Sequence, residues 1–302
     1  MSSLPQPVGL SPLSAPELSA PETATAARHK SGRIHWVPAI AICLVHLGAL
    51  LAFFPVFFSW RALVTAVVLQ AICGVGITLG YHRLLTHRSF KTPKWLEYFL
   101  AWVGSLSWQG GPIQWVATHR LHHQHSDEDA DPHSPRHGFF WAHTLWCMTY
   151  DPNFDEYERY SRYAQDLARD RGHVFLERAT PIWQFVLAGL LYLWAGWPGV
   201  IWGVFVRLVY VYHITWLVNS ATHTWGYRNF ETTDHSRNLW WVGLLSYGEG
   251  WHNNHHAYPR SARHGLKPWE VDVTWMLIRL LSVLGLARDI RLPEQGASRE
   301  SR

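Results

Sequence analysis

The sequence predicts an all-α integral membrane protein: four transmembrane helices in two hairpins, capped on the cytoplasmic side by a helical region that carries a histidine-rich metal site. Three observations predict it. Long apolar runs free of Asp, Glu, Lys and Arg come in two blocks, 34–81 and 181–206. Nineteen Trp and an aromatic share of 15% suit the belts that membrane proteins place at the lipid–water interface. Three tight histidine clusters all fall on the same side of those runs. A mean hydropathy of −0.08 adds that apolar spans alternate with substantial water-facing parts.

Residues 1–33 are rich in Ser, Pro and Ala without apolar periodicity, and read as a disordered cytoplasmic tail rather than a targeting peptide. Ile34–Trp60 and Ala62–Tyr81 each reach the roughly 20 apolar residues that cross a bilayer. Only Arg61 separates them, so they form a tight hairpin with spans at about 36–58 and 62–81. The stretch from Pro181 to Val206 is broken at Gly196-Trp197-Pro198-Gly199. It predicts a second hairpin, with spans at about 182–196 and 199–222. Basic residues flank the outer ends of the hairpins (Arg28, Lys30, Arg33, Arg83, Arg88, Lys91), and the turn loops are nearly uncharged. The positive-inside rule therefore puts both termini and the central segment in the cytoplasm.

The membrane unit then covers 34–290, its cap built from 82–181 and 223–290, with a second disordered tail at 291–302. Residues 95–108 and 269–286 mix apolar and polar positions at helical spacing, as helices lying on the membrane surface do. The charged Asp151–Arg171 stretch reads as one solvated helix. The net charge of +4 is mild, and Cys43, Cys73 and Cys147 form no CxxC pair, which argues against a disulfide framework or a cysteine metal site. Arg207, midway along an apolar span, requires a partner.

The clusters are His82-Arg-Leu-Leu-Thr-His87, His119-Arg-Leu-His122-His123 and His252-Asn-Asn-His255-His256. In an HxxHH run on an α-helix, the i, i+3 and i+4 imidazoles share one side. The His82/His87 pair, five apart, cannot share a face of a straight α-helix and requires the helix to end or turn between them. Imidazole suits iron, zinc, copper or nickel, and a structural zinc needs only four ligands, so this many histidines argue for two ions. With 20 His in 302 residues, one spaced triplet arises about 0.09 times per shuffled chain.

The runs GYHRLLTHRSF, GGPIQWVATHRLHHQHSD, DADPHS, WLVNSATHTWGYR and GEGWHNNHHAYPRSARHG resemble the membrane fatty-acid desaturases. Among these, they are most similar to the Δ9 acyl-lipid desaturases of cyanobacteria and their plant and bacterial relatives. The resemblance runs from about residue 36 to about residue 290. It implies two Fe ions, a di-iron site: His82, His87, His119, His123 and His255 on one, and His122, His223, His252 and His256 on the other, with Asn219 contacting the second through a water. It also implies O2 and an acyl-lipid or acyl-CoA substrate. By analogy with the related acyl-CoA desaturases, Gln109, Trp115 and Thr215 surround a tunnel bend that presents carbons 9 and 10. In those enzymes an Arg-Asp pair and an Asn hold the CoA. The equivalent positions here are Ala117, Thr118 and Gly110, which favours a glycerolipid-linked chain.

Electrons must come from a separate carrier, ferredoxin-like or a small cytochrome, because no His-Pro-Gly-Gly run of a fused haem domain appears. Arg228, Arg260, Arg263 and Lys267 form a candidate docking patch. Nothing in the sequence points to nucleic acid. His29, His35, His46, His173, His213, His235 and His264 are expected to serve packing, surface or local hydrogen bonding. His125, His133, His137 and His143 are expected to support the site from outside, and Asp127, Glu128, Asp129, Asp131 and Glu249 are candidate acceptors for ligand imidazoles. The rival readings are a hydroxylase on the same metal site and, outside catalysis, a metal transporter or haem-binding membrane protein. A transporter would hold its ligands near the bilayer midplane, whereas these clusters sit at one face.

Overall fold

The computed structural model describes residues 32–293. The tails expected at 1–33 and 291–302 therefore lie, but for a few residues at their inner edges, outside the described residues. Among the described residues the regular structure is helical, with only isolated β-bridges, such as Lys91 with Arg288. Three helices are long and apolar enough to cross a membrane: Trp36–Phe53, Trp60–Thr86 and Arg171–His223.

Helix α1 (Trp36–Leu50) leads through a short 3-10 turn to α2 (Trp60–Val75), which Ser59 caps by accepting from the Ala62 N–H at 3.1 Å. The third long helix is not straight. α9 (Arg171–Val200) contains Ala195 and Gly196 outside helical geometry, with Gly196 at φ +62°. Only glycine enters that region at no steric cost, and the chain reverses there. A Cβ built on Gly199 would lie 2.5 Å from the Leu191 carbonyl oxygen, and one on Gly203 2.8 Å from the Leu191 side chain. The two arms thus run side by side, the second continuing through Ile201–Val206 into α10 (Arg207–Ser220). The turns meet: Arg61 donates to the Trp194 carbonyl at 3.3 Å, and the Trp202 indole to the Phe57 carbonyl at 3.0 Å.

Outward side chains on these helices are apolar and bare, Leu47 61% and Leu193 83% exposed among them, a lipid-facing surface rather than a water-facing one. Arg207 is buried; its guanidinium donates to the Gly203 carbonyl at 2.7 Å and to the Gln184 amide oxygen at 3.2 Å.

The histidine pair five residues apart is accommodated as its spacing required, since the helix ends at Thr86, between them, with His87 as its C-terminal cap. Before ending, the helix takes a form that the spacing did not specify. It widens into a π-helix over Gly76–Thr86, and the His87 N–H donates to the His82 carbonyl at 3.1 Å, the i to i−5 bond of that geometry. The cap packs on this segment. α3 (Lys94–Ser105) crosses it where a Cβ on Gly76 would fall 2.5 Å from the Gly104 nitrogen, so only glycine permits the approach. α4 (Pro112–Gln124) buries Ile113 and Val116 completely beside Tyr81 and Phe90, each aliphatic worth about 1.5–3 kcal/mol.

A short α5 (Phe139–His143) follows. The Asp151–Arg171 stretch is a correction, since it is not one helix. It divides into α6 (Pro152–Asp155), α7 (Tyr157–Tyr160) and α8 (Gln165–Ala168), with extended backbone at Glu156. Nor is it merely solvated, because Tyr160, Ala164 and Leu167 are buried in the cap core. Asp151 and Pro152 start a first turn that Glu156 stops, and the apolar residues turn inward afterwards. α11 (Trp240–Leu245), α12 (His252–Ala257) and α13 (Val273–Val283) complete the cap. The three cysteines are free.

Candidate metal centre

Four local structures bring the histidines together. The π-helix carries His82 and its last residue abuts His87. One face of α4 carries His119, His122 and His123, and α12 carries the third cluster. α10 ends at Ser220, and a single 3-10 turn, Ala221–His223, delivers His223, so the Asn219–His223 pair does not sit on one continuous α-helix.

Their ring nitrogens form two groups. One atom each from His82, His87, His119, His123 and His255 lie within 4.8 Å of one another, and so do atoms from His122, His223, His252 and His256. The close pairs all use Nε2. In the first group these are His82–His255 at 3.2 Å, His255–His123 at 2.9 Å and His123–His119 at 3.2 Å. In the second they are His122–His256 at 3.4 Å, His256–His252 at 3.0 Å and His252–His223 at 3.1 Å. His87 Nε2 is buried without a hydrogen-bond partner.

The outer nitrogens of four of these rings face carboxylates. His82 Nδ1 lies 2.7 Å from Glu249, His122 Nδ1 3.0 Å from Asp131, His223 Nδ1 2.9 Å from Asp127 and His256 Nδ1 2.6 Å from Asp234. An imidazole that donates from Nδ1 presents a lone pair at Nε2. Lone pairs facing one another at about 3 Å repel unless a cation lies between them. The donor set therefore fits metal ions, one per group, with Nδ1 held by a carboxylate as in metal-bound histidines generally.

Electrostatics agree. Burial and then the neighbouring imidazoles hold His119, His123, His252 and His255 well below the ordinary histidine value, so these rings are neutral and ready to ligate. Burial also lowers His256, to about 4, against the pull of Asp234. His122 goes the other way: burial lowers it, but the Asp131 charge and hydrogen bond outweigh that and raise it. Asp131 is itself fully buried. Desolvation would raise it, yet the His122 and His133 imidazoles and its hydrogen bonds hold it well below the carboxylate range.

Of the expected carboxylates, Asp127, Asp131 and Glu249 reach ligand-type histidines. Glu128 instead pairs with His125 at the surface, and Asp129 lies 3.7 Å from His137. Asp127 holds a strained backbone, φ +62°, while accepting from the His235 N–H as well, strain of the kind that clusters at functional sites. Asp234 was not foreseen; its only signal was an acidic position in the loop ahead of the third cluster. His143 does not attend the site. It joins His213 at 2.9 Å, which joins His46 at 3.1 Å. That string runs through both nitrogens of His213, Nδ1 towards His143 and Nε2 towards His46, and has no common centre for an ion.

An apolar cavity abuts both groups. Gly74, Ile77, Val211, Ile214 and Val218 line it, together with His82, His119, His252, Trp115, Thr215 and Asn219. Trp115 stacks on His119 with ring centroids 5.2 Å apart, and the Gln109 amide donates to the Thr215 hydroxyl at 3.0 Å. Trp115 and Thr215 thus line the cavity, and Gln109 adjoins it through its hydrogen bond to Thr215. Ala117 is packed in the cap core and the Thr118 hydroxyl donates to the Gln114 carbonyl, so neither presents a group to a charged handle. In the basic patch, Arg263 folds onto the Gly265 carbonyl and Lys267 lies over Tyr227 and Trp269, while Arg260 is exposed.

Comparison with known proteins gives this geometry a lineage. A sn-1 stearoyl-lipid 9-desaturase of Anabaena variabilis is 52% identical over 272 residues, covering 90% of this chain and 99% of that one. A sn-2 palmitoyl-lipid 9-desaturase of Nostoc sp. (strain 36) is 50% identical over 274 residues, covering 90% and 95%. An acyl-CoA C20 Delta5-desaturase of Anemone leveillei is 48% identical over 250 residues, covering 82% and 80%. The family model described as fatty acid desaturase matches residues 58–274, and the chain belongs to that family.

Proposed function

We propose that this protein introduces a cis double bond at carbon 9 of a saturated acyl chain carried on a membrane glycerolipid. It would use O2 and two electrons from an external carrier, ferredoxin or a small cytochrome. The observation that carries the reading is the apolar cavity that reaches the histidine nitrogens of both groups. Two iron ions, when bound, would supply the O2-derived oxidising power that removes hydrogen from an unactivated methylene. His82, His87, His119, His123 and His255 would hold one, and His122, His223, His252 and His256 the other, with Asn219 reaching the second through a water.

The rest is the work of the chain's own residues. Asp131 and Asp234 fix two of the rings by accepting their Nδ1–H, and Glu249 and Asp127 stand at ion-pair distance from the Nδ1 of His82 and His223. Trp115 and the Gln109–Thr215 pair shape the passage in which carbons 9 and 10 are presented. The apolar walls from α2 and α10 keep water from the reacting carbons.

The membrane arrangement proposed with it has four spans, the cap and site in the cytoplasm and the membrane unit extending over 34–290. The reversal at Gly196 and the contact between the two turns support this. The same turn-to-turn contact puts the histidines at the opposite end of the bundle from both loops. The exposed Arg260 and its basic neighbours are the proposed docking face for the electron carrier.

Two relatives of nearly this chain's length are named for lipid-linked substrates, whereas the Anemone relative is named for acyl-CoA. The absence of charge at Ala117, Thr118 and Gly110 favours the lipid. The test is reconstituted enzyme with donor and O2, given either stearoyl-containing glycerolipid or stearoyl-CoA under conditions that block acyl transfer. Cis-9 olefin on the intact lipid is expected. Conversion of the CoA ester alone would overturn the substrate assignment, and oxygenated products in place of olefin would overturn the reaction.

A further inference from the structure

A tenth histidine sits beside the five-histidine group without belonging to it. His264 is fully buried, its Nδ1 3.0 Å from Glu249 Oε2, the same oxygen that lies 2.7 Å from His82 Nδ1. The other oxygen, Oε1, accepts two hydrogen bonds from Arg83, at 3.0 and 3.1 Å. Two imidazoles thus lie against Oε2 at ion-pair distance, while the guanidinium donates twice to Oε1. The His264 ring lies over that of His255, centroids 4.4 Å apart and planes 34° apart. Its own place is set by backbone: the His264 N–H donates to Asp272 Oδ2 at 2.8 Å, and Asp272 also pairs with Arg83 at 2.9 Å.

We propose that His264 is a positioning residue for the ion of the five-histidine group, acting on His82 through Glu249 and on His255 by ring contact. A carboxylate with one ring against it can swing about that contact; with two rings against one oxygen and a guanidinium bound to the other, its direction is fixed. His82 then presents Nε2 at a fixed angle, and His255 cannot tilt away from it. The four-histidine group contains a similar set, in which His133 lies 4.4 Å from His122, centroid to centroid. There the extra ring stands farther off, 3.6 Å from Asp131 against 3.0 Å for His264 and Glu249, and the assignment is therefore to His264 alone.

The inference rests on the two-ion reading above, and the experiment separates them. The full chain would be purified after growth on 57Fe and its iron counted and resolved by Mössbauer spectroscopy, for the parent, His264→Leu, His264→Asn and His264→Gln. About two irons in the parent support the two-ion reading; one or none defeats that reading whatever the variants do. With two in the parent, His264→Leu is expected to fall towards one iron and keep a single spectral component. His264→Asn places an amide N–H where Nδ1–H stands and is expected to keep two irons. His264→Gln, whose amide falls nearer the Nε2 position, is not. Two unchanged irons in His264→Leu, equal loss of both components, or an Asn variant no better than Leu would each overturn the proposal. If His264→Leu does not fold, the Asn and Gln variants decide it, rescue by Asn alone supporting it and equal behaviour overturning it.

Discussion

Replacing Asp131 by Asn removes one charge and almost no volume. Asp131 Oδ2 accepts from His122 Nδ1 and the Asp127 N–H, both at 3.0 Å, and Oδ1 from the His133 N–H at 3.1 Å. An amide keeps one oxygen. Whichever way it turns, its NH2 faces a donor, and one side of the carboxylate's contacts is lost. A buried donor left unpaired costs about 1–3 kcal/mol. The remaining contact to His122, if kept, is no longer to an anion and is roughly half as strong. Outer partners of this kind change metal affinity about 10–100-fold, or about 1.4–2.7 kcal/mol at 1.36 kcal/mol per decade. His122 is in the four-histidine group only, so the effect should be one-sided. In a chelator titration followed by iron content, one iron should leave Asp131→Asn at about 10–100-fold lower chelator than in the parent. The other should leave at the parent concentration. Equal weakening of both irons, or of neither, would refute the argument that these carboxylates orient individual ligands.

Acid should destabilise the metal-free protein in a defined window. Burial holds His87, His119, His123, His252, His255 and His256 below the unfolded histidine value, His256 at about 4, so at these positions, though not at the raised His122, the unfolded chain takes up protons first. Stability is thus present above about pH 6.5, where unfolded histidine titrates, and is lost as pH falls towards 4. Asp131 and Asp234, both depressed, add a further loss only below the unfolded carboxylate value of about 3.9. A melting temperature of the apoprotein that holds or rises from pH 6.5 to 4 would contradict this. Gly74→Leu should cut conversion of stearoyl chains, because even its Cβ would come within 2.2 Å of the Tyr247 ring and both residues line the cavity; unchanged conversion by a folded variant would show that the acyl chain does not occupy this cavity. Thr215→Val removes the hydroxyl to which Gln109 donates and should broaden the double-bond position among products, read by mass spectrometry of derivatised olefins; a single unchanged isomer would show that the pair does not shape the bend. His46→Ala, whose ring belongs to the separate string with His213, should keep two irons, and loss of either would place that string in the centre.

What the sequence determined by itself is what local periodicity and composition encode. Charge-free runs of membrane length located the long helices, and Gly196-Trp197-Pro198-Gly199 marked the break, because only glycine there relieves the backbone at φ +62°. The i, i+3, i+4 spacing put His119, His122 and His123 on one face of α4, and the resemblance grouped the nine histidines as the structure brings them together. Tertiary structure decided what depends on partners far along the chain. Asp234 meets His256 across a loop, and Glu249 joins His82, His264 and Arg83 from separate elements; no helical spacing rule connects residues 15 or 22 positions apart through a loop, still less Glu249 with His82 and Arg83, more than 160 positions away. The π-helix belongs with these. The sequence showed that His82 and His87 could not share a straight α-helical face and that the helix ends or turns between them; that it widens into a π-helix before ending at Thr86, with α3 packed at Gly76 and His255 against both rings, is seen only in the tertiary structure. The charged 151–171 stretch went the same way. Its charges suggested a free helix, while Tyr160 and Leu167 are held by α4 and the cap core, since burial of a few apolar side chains outweighs the helical propensity of an exposed, charged segment.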